Sequence, residues 1–477
     1  MTTRAPAPTL TPAAGLATVV GFLVCVEVAS GVLQGFYTPI FADLADHLAI
    51  TDADVNWFEA AQLVLSALAV PLLSRLGDLW GHQRVLLLST AVTALGSWVL
   101  VVAPGFWTFL VGWALQGAYV VWLPLEVAIV HRRTAGSGRQ ALLTRRAAAT
   151  LVFALEAAVI AGALTSGALV EVLPMEVLLA LPALVVTACL AVVWWGVEHV
   201  PGEAAGGLDL PGLGLVTLAV GLVMAGLVLV RVLGAGSAYP WLLVLLGLAT
   251  VVQLVRVERR TADPVVDVRL LAQRAQWPVQ LTAFLFGISV LGAQIPLSTF
   301  ARTDPAVAGY GLGADASFVS TLIGVYVVSL AVGALSLPLL ARVAGPRGSL
   351  VLAALLVALG YALWLPLHET TAQALTNLGI AGLGSGVLVA ALPAAAAAAA
   401  PPDRTGFATG MTNATKTVGG AIASAVFAIA LTADGTLAGP GAGQAPLSGY
   451  LTVWAVCAGA GLAAALALLA LPRTART

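Results

Sequence analysis

RLGDLWGHQRVLL, residues 75–87, joins two long apolar runs, and the reading of the whole chain turns on it. Arg75, Asp78 and Arg84 crowd together where charge is otherwise scarce, with Gly77 and Gly81 between them. That density marks a short connection between two helices, since glycine relaxes the backbone where the chain reverses tightly. Asp78 can accept hydrogen bonds from the exposed amides of a helix N-terminus. The runs on either side, near 54–76 and 85–103, are each about long enough to cross a hydrocarbon layer roughly 30 Å thick.

The same alternation continues through all 477 residues. Hydrophobic residues make up 60% and charged residues 9%, whereas soluble domains hold about 45–50% and about 25%. With a mean hydropathy of +1.00, the chain reads as an all-α integral membrane protein, which excludes a soluble enzyme, a disordered chain and a nucleic-acid binder. Apolar runs fall near 14–40, 54–76, 85–103, 105–130, 146–170, 176–197, 211–233, 238–256, 277–300, 318–341, 348–366, 371–400, 405–432 and 450–471, giving 14 transmembrane helices. The first run is too long for a signal-peptide core and reads as a retained helix.

Charge placement sets the orientation, because loops rich in arginine and lysine stay cytoplasmic. Of 21 basic residues, 18 fall at loops or ends on one side, including Arg4, Arg75, Arg84, the cluster Arg132 to Arg146, the run Arg256 to Arg274, and Arg473. Arg231 and Arg302 lie toward the other side, whose first loop is acidic through Asp43, Asp46, Asp52 and Asp54. Both termini are therefore expected in the cytoplasm and the protein in the cell (inner) membrane, in contact with the lipid bilayer and as a monomer. The runs divide into an N-terminal six-helix bundle (1–200), a two-helix insertion with a cytoplasmic linker (201–274) and a C-terminal six-helix bundle (275–477). Paired halves of this kind build central sites that face either side in turn. The one internal echo is between RLGDLWGHQR at 75–84 and RVAGPRG at 342–348.

RLGDLWGHQRVLL resembles motif A of the major facilitator superfamily, with Asp78, Gly81 and Arg84 at its positions, Ser74 where its first glycine falls, and His82 and Gln83 in place of two basic residues. The helix count, the Asp-Pro pair at 263–264 and TNATKTVGGA at 412–421 are similar to the fourteen-span drug:proton antiporter branch. The resemblance implies a major facilitator fold of two six-helix bundles, with Gly77, Asp78, Gly81 and Arg84 forming a gating latch between the halves. WALQGA at 113–118 resembles motif B, but Trp113 stands where that motif has arginine. The fifth-helix signature is reduced to Gly162-Ala163 and Ser166-Gly167, and Ser30 and Gly35 replace an expected Asp and Asn.

Ionisable groups at membrane depth cost about 2.5–3.5 kcal/mol and mark function. Glu27 lies near the middle of the first helix and Glu156 about 15 Å beyond Arg146 on the fifth, counting 1.5 Å per residue. Both read as proton carriers or, alternatively, as carboxyls that only specify packing. Glu126 completes the proton-coupling set, although its position near the helix end favours an ion pair with Arg132, Arg139 or Arg146. Ser30, Gln34 and Thr38 follow Glu27 at helical spacing, and Asn56, Glu59, Gln62 and Ser66 repeat the pattern on the second helix, where Glu59 reads as lining an outer vestibule. Such stripes face protein or water. With Gln116 and, in the second half, Gln280, Gln294, Asn377 and Asn413, they outline a substrate cavity. Lys416, the one lysine, either meets a carboxylate or an anionic group there or snorkels to the interface. Tyr37, Trp113 and Tyr119 would suit an amphipathic or aromatic compound.

Cys25, Cys189 and Cys457 are far apart with no histidine beside them, so neither a disulfide framework nor a metal site is expected. No Walker sequence, HExxH or GxSxG is present, and no cofactor or enzymatic role is expected. GLGSGVL at 382–388 lies in an apolar helix with no lysine after it, so it reads as a packing surface. The sequence predicts a secondary transporter that exports small hydrophobic or amphipathic compounds, coupled to protons by alternating access. An importer or uniporter of the same fold is the alternative, and a non-transporting sensor would need an output domain that no polar segment supplies.

Overall fold

Gly81 adopts φ 101° and ψ 134°, a conformation L side chains rarely take, and at this single residue one long helix ends and the next begins. The sequence suggests a loop over residues 75–84. Instead, helix α2 (Asp52–Trp80) runs through Arg75 to Trp80, and α3 (His82–Val101) starts directly after Gly81. The connection is that short because glycine alone supplies the reversal. In the second half Gly345 (φ 76°, ψ 168°) plays the same part, dividing a continuous 48-residue helical stretch, Ala316–Leu363, into α10 (316–344) and α11 (346–363). A straight helix of that length would extend about 72 Å at 1.5 Å per residue, more than twice a bilayer core, so it makes two crossings. The echo between 75–84 and 342–348 is thus a repeated glycine hinge.

The computed structural model describes residues 20–134, 140–199, 209–234, 236–261, 264–401, 405–432 and 445–472. Among them, all regular structure is helical, and thirteen helices are long and apolar enough to cross a membrane, the divided one counted once. In chain order the others are α1 (Leu23–Phe36), α4 (Phe106–Arg133), α5 (Gln140–Leu169), α6 (Met175–Gly196), α7 (Leu210–Leu233), α8 (Ala238–Glu258), α9 (Trp277–Arg302), α12 (Thr371–Ala398), α13 (Thr405–Thr432) and α14 (Leu447–Leu468). Helices α1–α6 and α9–α14 form two six-helix bundles, with the α7–α8 hairpin inserted between them.

Three helices are interrupted, and each interruption has a local cause. Pro39 ends α1 in a 3-10 turn, Thr38–Ile40, beyond which Phe41–His47 continues at an angle. Helix α9 pauses between Trp277–Val290 and Gln294–Arg302, at Gly292. Helix α4 consists of Phe106–Gln116 and Trp122–Arg133 joined by a 3-10 step, Gly117–Val121. Gly117 lies against α2 there: a Cβ would fall 2.5 Å from the Gln62 carbonyl oxygen and 2.9 Å from Ser66 Oγ, and Ser66 donates 2.9 Å to the Gly117 carbonyl.

Each bundle has its own aromatic core. Trp113 packs among Tyr37, Phe41, Phe58 and Phe109 at ring separations of 4.6–6.1 Å in the first. Trp454 packs on Phe300 at 4.8 Å and Trp364 at 4.9 Å in the second. Within bundles, glycine permits backbone contact: a Cβ on Gly35 would sit 2.0 Å from the Val159 carbonyl oxygen of α5, and one on Gly386 would sit 1.8 Å from that of Leu330. Small residues allow this close approach where no hydrophobic effect drives helices together.

The bundles meet chiefly at the end opposite the two glycine hinges. The extensions of the broken first helices of each half touch there: Ser298 Oγ donates 2.5 Å to the Thr38 carbonyl, and Arg302 pairs with Asp43 at 2.6 Å. Ser320 on α10 donates 2.7 Å to the Ala163 carbonyl on α5. These contacts cross between the halves and close that end. The hairpin lies over the seam between α2 and α13, where Leu227 packs with Trp57, Ala60, Ala425 and Ala428.

Candidate functional site

One face of α5 shows how the closed end gives way to open space. Ala163, Glu156, Val152 and Ala149 follow at helical spacing on one side. Ala163 is fully buried against α10, Glu156 is half-buried, and Val152 and Ala149 are exposed. Exposure thus grows along this face toward the glycine-hinge end. On α1 Gln34 is exposed although it stands on the interior stripe with Glu27 and Ser30, both buried; its amide donates 3.2 Å to Ser30 Oγ. Below the closure at Thr38, therefore, side chains on the facing sides of α1 and α5 are less covered than at the closed end.

Glu27 and Glu126 occupy the N-terminal wall. Neither side chain is exposed, and the two carboxyl groups are electrostatic neighbours. All four oxygens lack a hydrogen-bond partner among the described residues. Two neighbouring buried carboxyl groups resist carrying charge at the same time. The ion pair expected for Glu126 is absent among the described residues. Arg133 turns away to a bidentate contact with Glu198, at 2.6 and 2.5 Å, and Arg139 lies outside the described residues. Tyr119 sits within electrostatic reach of both Glu27 and Glu59, so Glu59 joins this interior cluster instead of lining a vestibule at the closed end.

Glu156 faces the C-terminal half. It lies within electrostatic reach of Lys416 on α13 and Tyr326 on α10. Lys416 is half-buried in the interior, where the alternative was a snorkelling side chain at the interface. No direct ion pair joins Glu156 and Lys416 among the described residues. One residue before Lys416, Thr415 donates 3.4 Å to Gln280 Oε1, while the Gln280 amide donates 3.3 Å to the Ala408 carbonyl. Asn413 is half-buried one turn further along.

Other polar candidates are taken up by structure. Gln116 is fully buried and donates 2.9 Å to both Tyr37 Oη and Ser97 Oγ. Tyr37 and Trp113 belong to the aromatic core behind the wall, each 2% exposed. Gln62 is buried at the α2–α4 contact. Gln294 donates 3.0 Å to the Val290 carbonyl and caps the break in α9. Asn377 donates 2.7 Å to the Leu367 carbonyl and pins the connection before α12, near the closed end. Tyr326 was not singled out by sequence, because an aromatic in an apolar run carries no signal of the polar neighbours it will meet.

In the region resembling motif A, Gly77 packs on α4, where a Cβ would fall 2.8 Å from Leu125 Cδ2. Arg84 is exposed, and the Asp78 side chain lies outside the described residues. Nearby, the ends of α3, α4 and α6 are tied by Arg133–Glu198 and by a 3.1 Å hydrogen bond between His199 Nδ1 and Gln83 Oε1. Burial opposes the Glu198 carboxylate, but the Arg133 guanidinium more than offsets it and holds the carboxyl below its ordinary range. A cavity of about 300 Å³ lies away from all these carboxylates, lined by carbon from α2, α4 and α7, including Trp57, Phe106 and Met224. No group of three or more His, Cys, Asp or Glu side chains suited to a metal occurs among the described residues.

Known proteins share this architecture. The chain is 25% identical over 292 residues to the uridine/deoxyuridine transporter of Lactococcus lactis subsp. cremoris (strain MG1363), an alignment covering 60% of this chain and 59% of that one. The aligned stretch thus spans less than two thirds of that relative. Among solved structures, an auto-inhibited peptide transporter of the POT family superposes with a TM-score of 0.68 at 17% identity, covering 96% of this chain and 98% of that one. The nucleoside transporter NupG superposes with a TM-score of 0.63 at 13% identity, covering 96% and 99%. Two six-helix bundles, with a match to the family profile over residues 23–424, make this chain a member of the Major Facilitator Superfamily.

Proposed function

We propose that the protein is a proton-coupled secondary transporter of small amphipathic organic compounds in the cell membrane, with the Glu27–Glu126 pair as the proton site and the cleft beside Glu156 and Lys416 as the substrate site. The observation that carries this reading is the pair itself: two neighbouring carboxyls, wholly buried, with no hydrogen-bond partner among the described residues. Ionising both in so dry a place is costly, so release of the shared proton is tied to rearrangement of the α1–α4 wall. With the arginine-rich end cytoplasmic, the closed end is the outer one, and the cleft faces the cytoplasm. Opening the outer end then requires the Arg302–Asp43 and Ser298–Thr38 contacts to part while Gly77, Asp78, Gly81 and Arg84 latch the other end.

Export is the direction we assign, in keeping with a cleft that can load from the cytoplasm. Uptake is the second reading, favoured by Trp113 at the position where motif B carries arginine and by the uridine/deoxyuridine transporter among the relatives. Reconstituted vesicles with an imposed pH gradient of either sign, offered a panel of amphipathic compounds that includes uridine, separate the two. Accumulation driven by the gradient is expected to fall at least about tenfold, one pKa unit's worth of driving force, in Glu27→Gln and Glu126→Gln. Counterflow exchange should persist. Equal gradient-driven accumulation in wild type and both variants would remove the coupling assignment.

A further inference from the structure

We infer that the apolar cavity between α2, α4 and α7 is a binding site for one acyl chain of a phospholipid, drawn from the leaflet at the closed end of the molecule. The site lies away from the carboxylates of the proposed transport path and adds a lipid to what the protein binds.

The cavity measures about 300 Å³ and is walled almost wholly by carbon. Ala60, Ala61 and Ala114 line it, where larger side chains would close the gap between the N-terminal bundle and the hairpin. Met224 and Val228 of α7 cover it, on a helix whose Leu227 packs on Trp57 and Ala60. Its rim reaches the flank of the molecule: Trp107 is 62% exposed, and Val111, one turn further along α4, is 57% exposed. Along α2 the lining runs from Trp57 to Leu68, a rise of about 16.5 Å at 1.5 Å per residue. One leaflet supplies half of a hydrocarbon core roughly 30 Å thick, or about 15 Å. Helix α2 begins at the closed end with Asp52 and Asp54 in its first turn. Trp57 therefore marks the end of the cavity near the membrane surface, and Leu68 the end near mid-depth.

These dimensions select the occupant. Water needs about two to four polar partners, and carbon walls offer almost none. A polar substrate would lose its hydration without compensation. Left empty, the hollow would forfeit the dispersion contacts of the atoms around it. The phase that meets this flank in a membrane is lipid. An acyl chain entering beside Trp107 follows the hollow toward mid-depth and leaves its headgroup at the interface, where tryptophan is favoured. The Trp57 indole N–H, buried with no hydrogen-bond partner among the described residues, stands at the level of the ester groups. A chain held there fills the joint between α7 and the N-terminal bundle.

Native mass spectrometry of the full chain, released from detergent micelles, counts the phospholipids that stay bound. Wild type is expected to keep one under activation that strips the rest. Ala61→Phe with Ala114→Leu fills the cavity and should lower that occupancy at least about tenfold, while melting no lower than wild type because the added atoms gain contacts. Ala61→Leu and Ala114→Leu, made singly, repeat the measurement should the double variant fold poorly. Leu335→Phe, at a position on α10 that is 80% exposed, is the control and should keep the lipid. A phospholipid carrying a photoreactive diazirine at the chain terminus should label Leu68, and one carrying it near the ester should label Trp107. Equal retention in wild type and the filled variants means annular lipid only and would overturn the inference, as would labelling in the reverse order. Unchanged retention with selective loss of transport of apolar compounds would also overturn it and give the cavity to the substrate. Loss of gradient-driven transport in Glu27→Gln with the lipid still bound separates this site from the proton site.

Discussion

Gln116 shows what one buried amide does behind a site. Its two donated hydrogen bonds join α4 to Tyr37 of α1 and Ser97 of α3, at the level where α4 changes to its 3-10 step. Replacing it with leucine leaves two buried hydroxyls short of a donor, and each such loss costs about 1–3 kcal/mol. Gln116→Leu should therefore lower the thermal midpoint in detergent, with an effect on transport that follows the loss of stability. Glu198 gives a second test at this scale. Its carboxyl sits lower in the folded protein than in the unfolded chain, so its pairing with Arg133 stabilises above the ordinary carboxylate range. That contribution is lost as pH falls through the folded value. Since the Glu198 side chain is 40% exposed, it amounts to about 0–1 kcal/mol. Melting curves of wild type and Glu198→Gln, recorded from neutral pH downward, should converge on the acid side.

At the level of elements, the glycine hinges and contacts carry the architecture. Gly35→Val would drive a branched side chain into the Val159 carbonyl, 2.0 Å from the Cβ position, and overpacking of this kind costs typically about 1–3 kcal/mol. Gly35→Val is expected to melt well below wild type, whereas Gly214→Ala, whose Cβ would meet nothing, should not. Nearly every helix was legible in the sequence, because a crossing needs some twenty apolar residues and each was bounded by arginine, proline or glycine. The hinge at Gly345 was legible as an echo of Gly81. The partner of Glu126 was not. Glu126 shares the segment Trp122–Arg133 with two arginines, but counting along one helix does not tell which neighbouring helix its buried face meets. That Glu156 lies within electrostatic reach of Lys416 and Tyr326 was equally hidden, since it depends on how two halves far apart in sequence come together.

For the molecule as a whole, alternation requires the closed end to part. Cysteines placed at Thr38 and Ser298, whose side chain and backbone meet at 2.5 Å, should form a disulfide on oxidation in a background with Cys25 replaced by alanine. Transport is expected to stop on oxidation and return with reductant. Full activity in the cross-linked protein would show that these contacts never separate.

The α7–α8 hairpin makes the molecule lopsided in the plane of the bilayer. It shelters the α2–α13 seam, whereas Phe153 on α5 and Val328 on α10, beside the other seam, are 74% and 57% exposed. Lipids therefore meet two different flanks: one is padded by a pair of helices that must shift whenever the halves rock, and the other is a bare crevice between moving partners. A bilayer that is too thick or too stiff would resist the padded flank more than the bare one, so membrane composition acts on this protein as an uneven spring.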